Sequence, residues 1–164
     1  KAEDNLEQGW QDLKTYNISS NDSVLGITSS GRTPYVVGAL ENCKKNNIYT
    51  GLLTSNKDTN AEKYAMTTIR TLLGPEVVTG STRMKSGTAQ KLILNMISTS
   101  LMIKMGRVKG NKMVDMQLSN SKLIKRGERF LQDELGIDSD DASKLLERSN
   151  SVRDAIKSYK KKES

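Results

Sequence analysis

The sequence predicts an α/β fold with a parallel sheet, followed by a segment made only of helices. A strand, a turn rich in Ser and Gly, a helix and a second strand follow one another within residues 23–53. Strands joined through a helix pair in parallel. After Gly110 only helical patterns occur. We therefore expect a three-layer αβα domain over residues 1–112 and a helical extension over residues 113–164.

The first elements of the sheet domain have clear local signals. Apolar residues spaced by four and three predict a helix over residues 3–16, and a short apolar run predicts a buried strand over residues 23–27. Thr33 and Pro34 predict the next helix start, because Thr caps helices and Pro suits the first helical position. That helix is expected to end near Asn46 and to turn Val36, Val37, Leu40 and Cys43 inward.

The rest of the sheet domain is predicted less evenly. Residues 48–53 are typical of a second buried strand, and residues 65–72 are a weakly patterned third strand. Residues 86–104 predict a long helix that is apolar on almost every side between Leu92 and Met105. Such a helix is expected to be buried, in a domain centre or between subunits, with its Met residues filling a core.

Three helices are expected in the extension. Asp138 stands before acidic residues in a first turn, which favours a capped helix start. The predicted helices span 119–135, 139–149 and 152–161.

Composition excludes several kinds of site. The chain has one cysteine, Cys43, and no histidine, which excludes an internal disulfide framework, a cysteine-rich zinc site and a Ser-His-Asp triad. We expect no metal and no cofactor. The formal net charge of +7 arises after residue 60, where basic residues stand among apolar ones at helical spacing. This pattern favours a phosphate-bearing ligand or a solvated surface over a nucleic-acid partner.

The sequence also indicates a location. The start, Lys1-Ala2-Glu3-Asp4, is charged, unlike a signal peptide, and residues 92–105 are too short and too polar to cross a bilayer. We expect a cytoplasmic protein without a membrane partner.

The most informative motif is Thr28-Ser29-Ser30-Gly31-Arg32-Thr33-Pro34. It follows a predicted parallel strand, where open α/β sheets bind their ligands. Hydroxyls, a glycine and free amides at a helix start make a cradle for an anion, although an ordinary strand-to-helix turn has similar residues.

Three further features carry charged or hydroxyl groups. The loop over residues 74–85 brings a carboxylate, hydroxyls and two cations before the long helix, and it either lines a polar pocket or caps that helix through Ser81 or Thr82. Glu3 lies among acids typical of a solvated helix start. Asp115 is either a partner for a buried cation or a surface residue.

These motifs resemble a known family. The loop at 28–34 resembles the serine-rich loop of sugar isomerase (SIS) domains, which hold phosphosugars. Three stretches resemble the N-acetylmuramic acid 6-phosphate etherases more closely: GITSSGRTPYVVGAL at 26–40, GPEVVTGSTRMKSGTAQKLILNMISTSLMIKMG at 74–106 and MVDMQLSNSKLIKR at 113–126. The resemblance extends over most of the chain.

The resemblance implies a reaction and its residues. The family cleaves the lactyl ether of its phosphosugar without a metal, giving N-acetylglucosamine 6-phosphate and D-lactate by elimination and then water addition. Ala2-Glu3-Asp4 matches the family motif that contains one catalytic glutamate, which implies that Glu3 is a catalytic carboxylate, the base. The residues that match the family's phosphosugar loop and second signature are Ser30, Gly31, Arg32, Thr33, Glu76, Ser81 and Lys85.

One departure from the family limits the expected activity. The family has an upstream segment with a glycine-rich turn and another catalytic glutamate, and nothing in this sequence corresponds to it. We therefore expect the C-terminal part of an etherase, with little or no activity by itself.

Two other functions stay open at this point. A sugar-phosphate sensor with the same fold and no turnover is the alternative, and a sugar-phosphate isomerase would need catalytic residues that these motifs lack. The SIS resemblance and the apolar helix at 86–104 together predict a homodimer.

Overall fold

A computed structural model describes residues 1–149 and 151–162, with the side chain of Lys162 left out. The chain forms two compact units, Lys1–Leu94 and Asn95–Ser164. Helices are α1 (Gln8–Lys14), α2 (Pro34–Lys45), α3 (Lys85–Lys104), α4 (Ser121–Leu135), α5 (Ser139–Glu147) and α6 (Val152–Lys162). Strands are β1 (Ser23–Ile27), β2 (Tyr49–Thr54), β3 (Thr67–Arg70), β4 (Val108–Lys109) and β5 (Lys112–Met113). A short 3-10 helix spans Asn60–Tyr64.

The first unit has a three-stranded parallel sheet in the order β1-β2-β3, so the predicted α/β class is confirmed. β1 has the predicted bounds, while β2 and β3 lie within one or two residues of their predictions. The predicted first helix over 3–16 is longer than α1, since residues 3–7 are not helical. The chain from 28 to 33 leaves the carboxyl end of β1 and enters α2 directly.

A small apolar core fixes α2 against the sheet. Leu40 and Leu52 have no exposed surface, and Val36 and Val37 pack against them. Cys43 is likewise fully buried, as its predicted position on the inner face of α2 requires. This packing sets the direction in which α2 leaves the residue 28–33 loop.

The long helix α3 differs from its prediction in one respect. It spans the predicted residues, but Ser86 is the only one of its residues that is buried. Five of its large apolar side chains are between 41% and 61% exposed: Leu92, Met96, Leu101, Met102 and Ile103. Met105 just beyond it is 60% exposed. Burial in the centre of this chain's own domain, with the Met residues filling a core, is therefore wrong, because no described element covers this surface.

The second unit contains the three expected helices around a core of Phe130, Leu131, Leu146 and Val152. Asp138 caps α5 as predicted, with its carboxylate accepting the Asp141 amide at 2.9 Å. The antiparallel hairpin β4–β5 was not predicted, because two-residue strands leave no pattern in a sequence. The expected domain boundary after residue 112 stays a prediction, because the division into two compact units does not show which part of the chain folds by itself.

No helix in the described ranges 1–149 and 151–162 has the length and apolar character needed to cross a membrane.

Candidate functional site

The loop between β1 and α2 is held in shape by its own hydroxyl groups. Thr28 Oγ1 lies 2.8 Å from Thr33 Oγ1 and 3.3 Å from Ser30 Oγ, and it accepts the Gly31 amide at 3.2 Å. Ser30 Oγ accepts the Arg32 amide at 3.2 Å. Gly31 has φ +68°, a left-handed conformation that a residue without a side chain adopts freely. These bonds curl residues 28–33 into a concave turn.

Thr33 occupies the N-cap position of α2 without capping it through its side chain. Its hydroxyl bonds Thr28 instead, so the predicted capping role is wrong. The helix start also offers fewer free amides than expected: Pro34 has none, the Tyr35 amide donates to the Glu3 carbonyl at 3.1 Å, and the Val36 amide donates to the Thr33 carbonyl at 3.0 Å.

Free amides are found in the turn itself. The backbone N–H groups of Ser29, Ser30 and Thr33 have no partner within the described residues. Together with the Ser30 and Thr33 hydroxyls, they supply the donors that an anion such as phosphate needs. The residue 29–33 turn is therefore suited to bind an anion.

An open cavity of about 610 Å³ borders this turn. Among the sequence-predicted site residues, Glu3, Ser30 and Thr33 line it. Glu3 is brought there by its carbonyl bond to the first turn of α2. Glu3 and the residue 29–33 turn thus border the same cavity, within the first unit.

The other predicted site residues do not line this cavity. Gly31 is buried beneath the turn and Arg32 is exposed. In the second loop, the Lys85 ammonium donates to the Pro75 carbonyl at 2.7 Å, and the Ser81 amide donates to the Val78 carbonyl at 3.0 Å. Their binding roles stay predictions.

Glu76 caps the long helix. Its carboxylate accepts the backbone amides of Lys85 and Ser86, both at 3.0 Å. These two bonds hold the pKa of the Glu76 carboxyl below its usual range, because they favour the charged form. The sequence had left open a cap from Ser81 or Thr82, and Glu76 does this instead.

A hydroxyl cluster that the sequence reasoning missed links α3 to the turn. The Ser86 hydroxyl, in a residue only 3% exposed, lies 2.7 Å from Ser29 Oγ and 2.6 Å from Ser55 Oγ. Gln90 Nε2 donates to Ser29 Oγ at 2.9 Å and to Ser86 Oγ at 3.3 Å. The available sequence signal was that Ser86 and Gln90 stand four residues apart at the start of a largely apolar helix. Their partner Ser29 is distant in the sequence, so the pattern does not reveal the contact.

Tyr35 also lines the cavity and was not predicted. Its hydroxyl donates to Asp12 Oδ2 at 2.9 Å, and this hydrogen bond raises the pKa of the tyrosine. Thr28, Ser29, Thr82 and Gln90 complete the polar part of the lining.

The family model for the SIS domain matches residues 10–100, which includes the sheet, the residue 29–33 turn and most of α3. The chain belongs to the SIS-domain family. A shared fold does not by itself decide function, because function is set by the residues of the site.

Curated relatives that match most of this chain carry one name. A Porphyromonas gingivalis protein named N-acetylmuramic acid 6-phosphate etherase is 55% identical over 162 residues, covering 99% of this chain and 59% of its own length. Proteins of the same name from Bacteroides fragilis and Clostridium beijerinckii are 54% and 47% identical, covering 97% and 91% of this chain. The chain therefore spans about three fifths of the P. gingivalis relative, and 57% and 49% of the other two.

Proposed function

We propose that this chain is the phosphosugar-binding part of an N-acetylmuramic acid 6-phosphate etherase and carries one of its catalytic carboxylates. The observation that carries the proposal is the shared cavity: Glu3 lines the same 610 Å³ space as Ser30 and Thr33. The names of the relatives support the identity of the sugar. The unpartnered amides of the turn are the phosphate donors in this proposal.

The proposed chemistry needs a base near the sugar and an anchor for its phosphate. With the phosphate on the turn, the opened sugar presents an aldehyde, which makes the neighbouring C–H acidic. The Glu3 carboxylate takes that proton, the C–O bond to lactate breaks and lactate leaves with its electron pair. Water then adds to the unsaturated aldehyde to give N-acetylglucosamine 6-phosphate.

Protonation of the departing lactate oxygen requires an acid. The proposal includes two proton donors. One is Glu3, which is protonated after the first step, and the other is a second acid in the part of the relatives' length that this chain does not cover. We therefore expect this chain alone to bind the sugar phosphate and to release lactate slowly or not at all.

Isothermal titration with N-acetylglucosamine 6-phosphate tests the binding half of the proposal. A charge-assisted hydrogen bond is worth about 1.5–3 kcal/mol, so the Ser30→Ala variant is expected to bind roughly ten- to a hundredfold more weakly. Ser20→Ala is the matched control, because Ser20 is exposed and does not line the cavity. Wild-type chain that binds no sugar phosphate would refute the proposal.

Lactate release tests the catalytic half. The protein comprising this chain and the remaining length of its relatives is incubated with N-acetylmuramic acid 6-phosphate. Glu3→Gln is expected to abolish turnover while leaving the affinity for N-acetylglucosamine 6-phosphate within about twofold, since its role is in proton transfer. Full turnover by Glu3→Gln would remove Glu3 from the mechanism.

We also propose a homodimer that buries the exposed apolar side chains of α3. Leu92 and Leu101 are more than half exposed, and such a surface is typical of an interface. Sedimentation velocity is expected to show a dimer for the wild type and a monomer for Leu101→Lys. An exclusively monomeric wild type at high concentration would contradict this.

We place the reaction in the cytoplasm, because a phosphorylated sugar does not cross a bilayer unaided. Cell fractionation with activity in the membrane pellet would contradict this location.

A further inference from the structure

The second unit contains an open cavity of about 880 Å³ made of different residues from those around Ser30. Its walls are strand β5 with Asn111 before it, the chain from 115 to 119, and one face of α4. Cavities of several hundred cubic ångströms are the usual size for small-molecule sites. Nothing in the proposed etherase chemistry uses this space.

The carboxylates in the wall are already neutralised. Asp115 is paired with Arg153 through two bonds, Nε to Oδ1 at 2.6 Å and Nη2 to Oδ2 at 2.9 Å. Asp133 forms an ion pair with Lys112, which also lies 5.2 Å from the centre of the Phe130 ring. Each of these acids is therefore already paired with a cation other than Arg126 and Arg129.

Two arginines in the same wall are left unpaired. Arg126 and Arg129 are exposed, and neither has a carboxylate partner in ranges 1–149 and 151–162. They stand three residues apart on α4 and so lie on one face of the helix. The planar guanidinium matches carboxylate and phosphate oxygens in a two-bond geometry.

The same cavity has an apolar surface next to these cations. Met113 is 52% exposed, while Phe130 and Met116 are buried below it at 4% and 8% exposure. Methionine fits ligands of varied shape because its side chain is flexible and polarisable. An apolar surface beside two unpaired arginines suits a molecule with an anionic end and an apolar body.

We propose that this cavity is a binding site for a small organic anion. A carboxylate or phosphate group of the ligand contacts Arg126 and Arg129, and its apolar body covers Met113. The site belongs to the helical extension and is independent of sugar-phosphate binding at the residue 29–33 turn.

Residue-resolved NMR of the full 164-residue chain tests the proposal, with phenyl phosphate and phenylacetate as probes. Both are expected to shift the signals of Met113, Arg126 and Arg129 in a saturable manner, and the stronger of the two identifies the preferred oxyanion. Inorganic phosphate lacks the apolar body and benzyl alcohol lacks the charge, so each is expected to bind at least about fivefold more weakly.

The variant Arg126→Gln/Arg129→Gln is expected to weaken both anionic probes by about fivefold or more. Lys122→Gln/Lys125→Gln is the matched control, because it removes the same charge from exposed positions of α4 that do not line the cavity. Thermal unfolding checks that both variants remain folded.

Two results would overturn the proposal. One is the absence of saturable shifts at the cavity residues, and the other is equal loss of binding in the two double variants, which would indicate general charge attraction. Shifts confined to residues 28–33 would report phosphate binding by the turn and would equally refute a second site.

Discussion

The carboxylate of Glu76 accepts the backbone amide of Ser86 at 3.0 Å, and the side chain of Ser86 in turn lies 2.7 Å from the hydroxyl of Ser29 in the residue 29–33 turn. The helix cap and this turn are thus connected through one buried serine. The cap fixes the first turn of α3, and that turn fixes Ser86 and Gln90 against the loop. The negative charge of Glu76 also suits the positive end of the helix dipole.

The Glu76 cap predicts a specific dependence of stability on pH. Because the folded-state pKa of Glu76 is lowered, its contribution is present above the usual glutamate value of 4.5 and is lost as pH falls through the folded value. The thermal midpoint of Glu76→Gln is therefore expected to lie below that of the wild type at pH 7, with the difference shrinking below pH 4.5.

Thermal unfolding monitored by circular dichroism at a series of pH values measures this difference. Glu7→Gln is the control, because Glu7 is exposed and its carboxylate has no hydrogen bond or ion pair among the described residues. A Glu76→Gln difference that stays constant from pH 7 to about pH 3 would show that the charge of the cap is irrelevant.

Gly31→Ala is expected to disrupt the residue 29–33 turn and the anion binding proposed for it. The left-handed φ of +68° costs an alanine about 1–2 kcal/mol, and its Cβ would stand 2.4 Å from the Cβ of Thr59. The loop must therefore shift. Titration with N-acetylglucosamine 6-phosphate is expected to show a loss of at least about tenfold in affinity.

Gly74→Ala is the matched control for Gly31→Ala. Its φ is +69°, but a Cβ there meets no atom within 4 Å, so it carries the same backbone cost without the collision. Its affinity for the sugar phosphate is expected to remain within about threefold of the wild type. Equal losses in the two variants would show that the contact with Thr59 has no part in binding.

Local patterns predicted the elements of this chain better than they predicted its site. Pro34 after Thr33 marks the start of α2 because proline lacks the amide that a helix start cannot use, and this signal needs no tertiary knowledge. Ser86 lies 10 residues from Glu76 and 57 residues from Ser29 in the sequence. No local sequence pattern therefore reveals these two hydrogen bonds.

The exposed face of α3 is a second feature that local sequence patterns did not predict. An apolar composition predicts that a helix becomes buried, but it does not name the surface that covers it. Met96 is 61% exposed, so the described residues leave most of its side chain uncovered.

Two glycine substitutions are expected to change stability in opposite directions. A Cβ on Gly26 would lie 2.8 Å from Val36 Cγ1 and 2.9 Å from Leu40 Cδ1, so Gly26→Ala overpacks the contact between β1 and α2 and is expected to cost about 1–3 kcal/mol. A Cβ on Gly87 in α3 meets only the Thr82 carbonyl, at 3.8 Å, so Gly87→Ala is expected to stabilise by up to about 1 kcal/mol.

Urea unfolding at equilibrium measures both changes. Each variant is the control for the other, because both add one methyl group and remove the same backbone freedom. A Gly26→Ala midpoint at or above that of wild type would mean that β1 and α2 are not packed as closely as described.

The ion pair between Asp115 and Arg153 is expected to couple the hairpin region to α6. Its two bonds of 2.6 and 2.9 Å, and a further bond of 2.5 Å from Arg153 to the Gly106 carbonyl, make Arg153 a bridge within the second unit. The hydrogen bond from Arg153 lowers the pKa of Asp115 although partial burial opposes it. The coupling is therefore expected at pH 7 and is lost as pH falls through the folded value, below the usual 3.8.

A double-mutant cycle of Asp115→Asn and Arg153→Gln, read by thermal unfolding, isolates this coupling. The double variant is expected to be no less stable than the worse single variant, since either change alone already breaks the bridge. Glu41 and Lys45, a single-contact pair 2.9 Å apart on α2, provide the comparison cycle and are expected to couple more weakly, because their side chains are 27% and 64% exposed against 17% and 38% for Asp115 and Arg153. Additive effects for Asp115 and Arg153 at pH 7 would contradict the geometry on which the bridge rests.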